Sequence, residues 1–351
     1  MEKNTLKDLF EIKYINNITN IKYEKDIIKD AFSLTLIENT FITFISLNKI
    51  SYIVYSTKEK TINFYDFNKE KIIKSIKNAH DSKIMSFRYN YNTNQNKEYM
   101  VSVSKERNIK LWELINFSCI ISIEKAHRQS FIFSLCILPF RNNNFILSSS
   151  GSDFENVRVW DFNGNKIQEI NNSKERTAYI DTFHSLKDDI YYIIIANYGN
   201  IKSFIFGANE LYKIYQDNSE EKNDHTNFII YDKGKEINKI ILIDSCFDGF
   251  IRLWDFHNGK LLKKIKCCKA PSKLRNICLS GQNQYLFIAY DNENNIKIID
   301  LSQKKIITCI KVKLNELLSI KKIKHNLYGN CMLVKGFLSN NIQLWTPQIF
   351  Q

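Results

Sequence analysis

The feature that most constrains the fold is a short apolar stretch that ends in an aromatic residue followed by an acid. Its clearest copy is SCFDGFIRLWD, which ends at Asp255. Within it, Asp248-Gly249 is a tight-turn dipeptide between two apolar runs, which predicts a β-hairpin with its second strand over residues 250–254. Asp255 is expected to end that strand. One hairpin would leave the fold open, but this stretch recurs along the chain.

The other copies follow at a nearly constant spacing. They are Tyr65-Asp66, Trp112-Glu113, Trp160-Asp161, Phe204-Ile205, Ile299-Asp300 and Trp345-Thr346. The first residues of consecutive pairs lie 44 to 50 residues apart. A period in the forties with this ending is typical of repeats that each form one blade of a propeller.

In this period and this ending the chain resembles the WD-repeat β-propeller family over nearly its whole length. The resemblance implies an all-β fold, a single seven-bladed propeller over residues 1–351 with four antiparallel strands per blade. Because the pair ends the third strand of a blade, the last blade lacks an outer strand. A segment within about residues 18–37 is expected to fill that open edge and close the ring, while residues 1–16 are expected to fray.

The resemblance also implies a structural role for histidines that precede a blade. In the family such a histidine bonds the acid of the hairpin turn and the strand tryptophan, and His225, Asp248 and Trp254 fit this set by position. A variant set pairs His80 with Glu106, and a ligand or catalytic role is the other interpretation. The residues predicted to carry the repeat are Tyr65, Asp66, His80, Trp112, Glu113, His127, Trp160, Asp161, His225, Asp248, Trp254, Asp255, Asp300 and Trp345.

The net charge of +13 is concentrated in one part of the chain. Residues 256–335 contain sixteen Lys and Arg against four Asp and Glu, and the remainder is nearly neutral. A compositional bias toward Lys, Asn and Ile would raise the charge everywhere, so it explains this clustering poorly. The cluster predicts a basic rim on blades 6–7, although a lysine-rich edge also protects an open strand from aggregation.

The candidate partner-binding residues are members of this rim and two arginines in predicted face loops. They are Lys263, Lys264, Lys266, Lys273, Arg275, Lys304, Lys305, Arg107 and Arg128. A polar insertion at residues 216–224 is predicted to be an exposed loop, and residues 90–97 are predicted to be an Asn-rich loop.

No catalytic or cofactor motif accompanies the repeat. The sequence lacks the phosphate-binding glycine patterns, the serine-nucleophile elbow and the zinc-protease motif. Its eight cysteines form no C-x-x-C pair, so we expect no metal site and a reducing compartment, the cytoplasm or nucleus. The charged start MEKNTLKDLFEIK lacks a signal-peptide core, and no run is long and apolar enough to span a bilayer.

These observations predict a non-catalytic scaffold for protein–protein interactions, without a cofactor. It would act as a monomeric propeller within a multiprotein complex, with an acidic partner on the basic rim. The alternative is a propeller that binds RNA or a ribonucleoprotein through the same rim. Salt-dependent binding of nucleic acid would distinguish the two, because phosphate contacts release counterions and weaken steeply with salt.

Overall fold

The fold was analysed on a computed structural model. The structure describes residues 12–18, 42–47, 50–56, 60–66, 69, 71–92, 97–128, 131–151, 156–172, 175–208, 210–217, 225–232, 240–268, 274–279, 285–290, 293–311, 317–325, 329–336 and 342–347. In these ranges the regular elements are β-strands, which pair into four-stranded antiparallel sheets. The prediction of an all-β antiparallel fold is therefore confirmed. The chain divides into two compact units, Asp26–Lys222 and a second unit made of Met1–Lys25 and Asn223–Gln351.

The unit Asp26–Lys222 contains sheets 1 to 4, each built from four consecutive strands. Sheet 1 is β2 (Ile42–Leu47), β3 (Ile50–Ser56), β4 (Ile62–Asp66) and β5 (Lys71–Ile76). Sheet 2 is β6 (Ile84–Asn92), β7 (Lys97–Ser104), β8 (Ile109–Glu113) and β9 (Ser118–Ile123). Sheet 3 is β10 (Ile132–Phe140), β11 (Asn143–Ser150), β12 (Val157–Asp161) and β13 (Lys166–Ile170). Sheet 4 is β14 (Thr177–Ser185), β15 (Ile190–Asn197), β16 (Ile201–Ile205) and β17 (Glu210–Tyr215).

The second unit contains sheets 5 to 7. Sheet 5 is β18 (His225–Asp232), β19 (Ile240–Cys246), β20 (Phe250–Asp255) and β21 (Leu261–Lys266). Sheet 6 is β22 (Leu274–Leu279), β23 (Tyr285–Tyr290), β24 (Glu293–Asp300) and β25 (Lys305–Lys311). Sheet 7 is β26 (Leu317–His325), β27 (Gly329–Gly336), β28 (Ile342–Pro347) and β1 (Ile12–Ile18), in that order across the sheet.

An N-terminal strand does complete the last sheet, but it is not the predicted segment. β1 runs antiparallel to β28 and places Tyr14 opposite Trp345. The strand therefore begins at Ile12, before the predicted residues 18–37 and inside the segment 1–16 that was expected to fray. Residues 1–11 and 19–41 are not among those described.

The repeated pair marks the end of the third strand in sheets 1 to 6. Because this strand and its inner neighbour lie between packed sheets, most of their residues are buried, and every residue of β19 is buried, Asp244 and Ser245 included. Between sheets 1 and 2, Val54 and Phe64 pack with Phe87 and Trp112 in one buried cluster. The predicted loop at 90–97 is shorter than expected, because β6 and β7 extend into it from both sides.

The acid of the pair shapes the turn that follows the third strand. In sheet 3, Asp161 Oδ1 accepts the backbone N–H groups of Asn163 at 2.9 Å and Asn165 at 2.7 Å. Burial acts to raise the pKa of Asp161, but the hydrogen bonds from Asn165 and Asn163 outweigh it and hold that pKa below its usual value. Asp255 and Asp300 bind the next turns in the same way. The recurrence of an acid thus reflects a side chain that satisfies backbone donors of a turn.

We expect the pairing of β1 with β28 to be required for a soluble chain. Deleting residues 1–18 exposes the edge of β28, so this variant should aggregate or lose several degrees of melting temperature, because an open strand edge recruits other chains. Deleting residues 1–11 keeps β1 and is the matched control. Light scattering and thermal unfolding measure both effects. A monomeric 1–18 deletion with an unchanged melting temperature would contradict this role.

Candidate partner-binding surface

A buried polar cluster lies beneath the surface of sheet 2. His80 Nε2 lies 2.7 Å from Ser102 Oγ, and the indole N–H of Trp112 donates to the same oxygen at 2.8 Å. Burial, and then the nearby charge of Lys110, lower the pKa of His80 to about 3. His80 is therefore a neutral structural residue near pH 7. Glu106, its predicted partner, has an exposed side chain, so that prediction was wrong.

Sheet 3 repeats the same geometry. His127 Nε2 lies 2.9 Å from Ser148 Oγ, which also accepts the indole N–H of Trp160 at 2.9 Å. In both sheets the serine stands on the second strand, two residues beyond the residue that pairs with the tryptophan. Sequence reasoning missed these serines because it looked for an acid in the hairpin turn. The recurring serine-rich ends of the second strands carried the signal.

In sheet 5 an acid takes the place of the serine. Asp244 Oδ2 lies 3.1 Å from His225 Nδ1 and accepts the indole N–H of Trp254 at 2.7 Å. The acid of this set is therefore Asp244 on β19, and the assignment to Asp248 was wrong. Asp248 instead accepts two hydrogen bonds from the guanidinium of Arg252, at 3.2 and 2.5 Å.

Arg252 makes the interior of sheet 5 a charged cluster. Its side chain and that of Asp244 are fully buried, and Asp248 closes the cluster from the turn. Burial acts to lower the pKa of Arg252, but the hydrogen bonds that it donates to Asp248 and the charge of Asp244 raise that pKa above its usual value. Each buried charge thus has an opposite charge nearby, and their attraction offsets the free-energy cost of removing both charges from water.

In five sheets a lysine or arginine stands on the third strand, two residues before the first residue of the repeated pair. Three of these side chains donate to a backbone carbonyl in the connection that leads into their own sheet. The pairs are Arg158 with Ala126, Lys202 with Asn172, and Lys297 with Cys267. These cations tie the third strand to the entry of the sheet, so they do not add to an exposed basic surface.

A second polar cluster joins the first strands of sheets 2 and 4. Tyr179 donates its hydroxyl to Asp181 Oδ2 at 3.1 Å, and the guanidinium of Arg88 lies 5.7 Å from the Tyr179 ring centre. Burial raises the pKa of both Tyr179 and Asp181 above their usual values. No sequence pattern singled out these residues, since Arg88 is far from Tyr179 and Asp181 in the chain and meets them only through packing of the sheets.

The predicted basic rim lies on β21 and β25, the outer strands of sheets 5 and 6 rather than of blades 6–7. Lys263, Lys266 and Lys305 are exposed, and Lys304 occupies the turn before β25 with a φ of 52°. Leu262 and Ile306 pack against one buried cluster, so the two outer strands flank the same core. Lys273 and the side chain of Arg275 fall outside the described part of the chain.

Two of these lysines share an aromatic neighbour. Lys264 Nζ lies 4.5 Å and Lys266 Nζ 5.9 Å from the centre of the Phe250 ring. Lys264 also lies 4.0 Å from Asp248, so it is already part of the interior network of sheet 5. The surface that can receive a partner is therefore best represented by Lys263, Lys266 and Lys305, which we call the basic surface.

The two candidate arginines lie in the other unit and differ from each other. Arg107 donates to the backbone carbonyl of Arg128, and its own carbonyl accepts the N–H of Ala126 at 2.9 Å. Arg107 thus fastens the β7–β8 turn to the connection that carries His127, while the Arg128 side chain is exposed. The candidate residues are therefore divided between the two units.

The described residues contain no group of three His, Cys, Asp or Glu that could hold a metal ion. Within the same residues there is no helix with the length and apolar character needed to cross a membrane.

The depressed pKa of His80 predicts acid sensitivity. In the unfolded chain the imidazole takes up a proton below about pH 6.5, while the folded His80 resists protonation down to about pH 3. The stability contributed by this group is fully present above pH 6.5 and is lost as the pH falls from there toward 3, by about 2 kcal/mol between pH 7 and pH 5. Urea unfolding at several pH values measures this, with His80→Gln as a non-titrating comparison. An equally steep loss in that variant would refute the assignment.

The different chemistry of sheets 3 and 5 predicts unequal costs for equivalent substitutions. Asp244→Ala leaves the buried Arg252 without one of its two acids, so we expect a loss of roughly 3–5 kcal/mol in unfolding free energy. Ser148→Ala removes only a neutral acceptor and should cost about 1–3 kcal/mol. Chemical denaturation of both variants gives the comparison. Equal losses of unfolding free energy would show that the charged acceptor in sheet 5 stabilises its sheet no more than the neutral acceptor stabilises sheet 3.

The comparisons with known proteins concern the fold. One solved structure that this chain resembles is the crystal structure of the β-propeller domain of Cps50 (Swd1) from Myceliophteria thermophila, with a TM-score of 0.69. The match covers 96% of this chain and 99% of that chain at 11% sequence identity. No protein-family model matches the chain, and no curated protein matches it either. At this identity the likeness shows the fold alone, and the chain has the fold of a β-propeller.

Proposed function

We propose that the chain is a single seven-bladed WD-repeat propeller that serves as a non-catalytic scaffold for other proteins. The ring would be closed by β1 in sheet 7, with the strand order β1-β28-β27-β26 as support. The observation that carries the scaffold proposal is the basic surface, which consists of three exposed lysines on the outer strands β21 and β25. Apolar residues of the same two strands, Leu262 and Ile306, pack against a buried core. A rigid core beneath an exposed charged surface suits binding without a change of shape.

The buried histidines support a structural rather than a catalytic function. His80, His127 and His225 each lie beside a serine or aspartate that also binds a tryptophan. A general acid or base at neutral pH works best with a pKa near 7, and the pKa of His80, about 3, is far below that range. His80 is thus better suited to holding sheet 2 together than to proton transfer.

An acidic protein is the partner that fits the basic surface. Exposed ion pairs contribute only about 0.2–1 kcal/mol each, so several lysines must act together. Their larger effect is on the association rate, since clustered charge steers an oppositely charged partner and is screened by salt. The RNA-binding alternative gains no support from the likeness to a solved propeller and becomes an outcome of the test.

No disulfide joins the six cysteines whose side chains the structure describes. This fits action in a reducing compartment, and we propose the cytoplasm or nucleus as the location.

Reversing the charge of the basic surface tests the proposal. The triple variant Lys263→Glu, Lys266→Glu and Lys305→Glu should fold normally, because the substituted lysines are exposed. Its association with proteins captured from native cells by the unaltered chain should slow by about tenfold or more at low salt. The matched control reverses Lys105, Lys125 and Lys187, which are also exposed but lie on the other unit.

Two readouts separate the outcomes. Capture that is equal for the triple variant and the control would show that the basic surface is only a solvated edge. Loss of a nuclease-sensitive partner alone, with a steep salt dependence of binding to single-stranded RNA, would favour the RNA alternative.

A further inference from the structure

The outer strand of sheet 1 is an open edge. In the described part of the chain β5 pairs with β4 alone, so one row of its backbone N–H and C=O groups faces away from the sheet. Five of its six residues are exposed. Such an edge is a template for another strand, and proteins normally protect it with charges, bulges or a covering segment.

The side chains of β5 are not simply protective. Ile72 and Ile73 are adjacent and are 47% and 37% exposed, while Lys71 and Lys74 flank them. A register shift opposite Tyr65 leaves Ile73 without a direct partner on β4. Two neighbouring isoleucines at an edge favour contact with another apolar surface, because burying such a side chain contributes about 1.5–3 kcal/mol.

The apolar surface continues onto the next sheet. The ring of Phe117, in the β8–β9 turn, meets buried Phe64 edge-on at a centroid distance of 4.8 Å. Lys74 Nζ lies 5.5 Å from the Phe117 ring centre, which joins β5 to that turn. Ile115 in the same turn is 59% exposed. The edge therefore rests on packed aromatic rings and has apolar side chains on both sides of Lys74.

In the described part of the chain, four exposed lysines lie on or beside this edge, while Glu70, between Lys69 and Lys71 in the sequence, falls outside that part. Lys69, Lys71, Lys74 and Lys77 are exposed, whereas the acid at the end of β4, Asp66, is buried and accepts the N–H of Lys69 at 3.1 Å. An added strand with carboxylates would meet lysines, and its apolar residues would meet Ile72 and Ile73. A basic or neutral segment would lack the first of these contacts.

We infer that β5 is a docking edge for an extended acidic segment of a partner protein, which adds to sheet 1 as a fifth strand. Main-chain hydrogen bonds would provide affinity, and the isoleucine pair with a lysine on either side would select apolar residues flanked by acidic ones. The site lies in the unit Asp26–Lys222, whereas the basic surface lies on strands of the other unit. The inference therefore does not depend on the partner proposed for the basic surface.

An eight-residue peptide with two central Val residues flanked by Glu residues is the probe. Titration calorimetry should detect binding, and hydrogen exchange should show slower exchange of the β5 amides in the complex. The same peptide with every second amide methylated cannot complete a strand ladder and should bind at least about tenfold more weakly. The double variant Lys71→Glu and Lys74→Glu should weaken binding of the first peptide by a similar factor, while Lys263→Glu and Lys266→Glu should leave it unchanged.

Several outcomes would overturn the inference. These are no binding of the probe, equal binding of the methylated peptide, or protection that appears on β21 instead of β5. A concentration-dependent dimer of the chain that protects β5 without the probe would also overturn it, since the occupant would then be a second copy. Circular dichroism of both double variants confirms that a loss of binding is not a loss of folding.

Discussion

The buried indole N–H of the repeated tryptophan is the group on which the interiors of sheets 2, 3 and 5 depend. An N–H without a partner in an apolar interior costs about 1–3 kcal/mol, so each tryptophan needs an acceptor on the strand beside it. Ser102 and Ser148 provide a neutral acceptor, and Asp244 provides a charged one. The choice of acceptor then decides what else can be buried, because only the aspartate can balance an arginine in the same sheet.

The sequence predicted the sheets well and their polar interiors poorly, for a physical reason. The third strands can be recognised from local sequence, namely apolar runs, turn dipeptides and a terminal acid. That acid accepts backbone N–H groups of the turn that follows it, as at Asp161 and Asp255. The partner of a buried polar group is a nonlocal property. Its place in the hairpin turn favours Asp248 as the acid for His225 in the sequence, but in the structure Asp248 binds Arg252. The segment that completes sheet 7 was misplaced because its short alternating pattern resembles its neighbours.

Positive charge in this chain has two separate uses that composition cannot tell apart. Arg158, Lys202 and Lys297 point into the structure and bind carbonyls. Lys263 and Lys305 remain in water on outer strands. The distinction follows from the strand on which each residue lies, since third strands are covered by neighbouring sheets and outer strands are not. A count of lysines along the sequence therefore overestimates the charge that a partner can meet.

The pairing of β1 with β28 also has a consequence for the synthesis of the chain. Pro347, opposite Ile12 in this sheet, leaves the ribosome more than three hundred residues later. At typical elongation rates of 5–20 residues per second, β1 would wait roughly 15 to 65 s for its partner. Sheets made of consecutive strands can form during that interval, but sheet 7 cannot. Its assembly is therefore the natural last step in maturation, and until then β1 is available to chaperones.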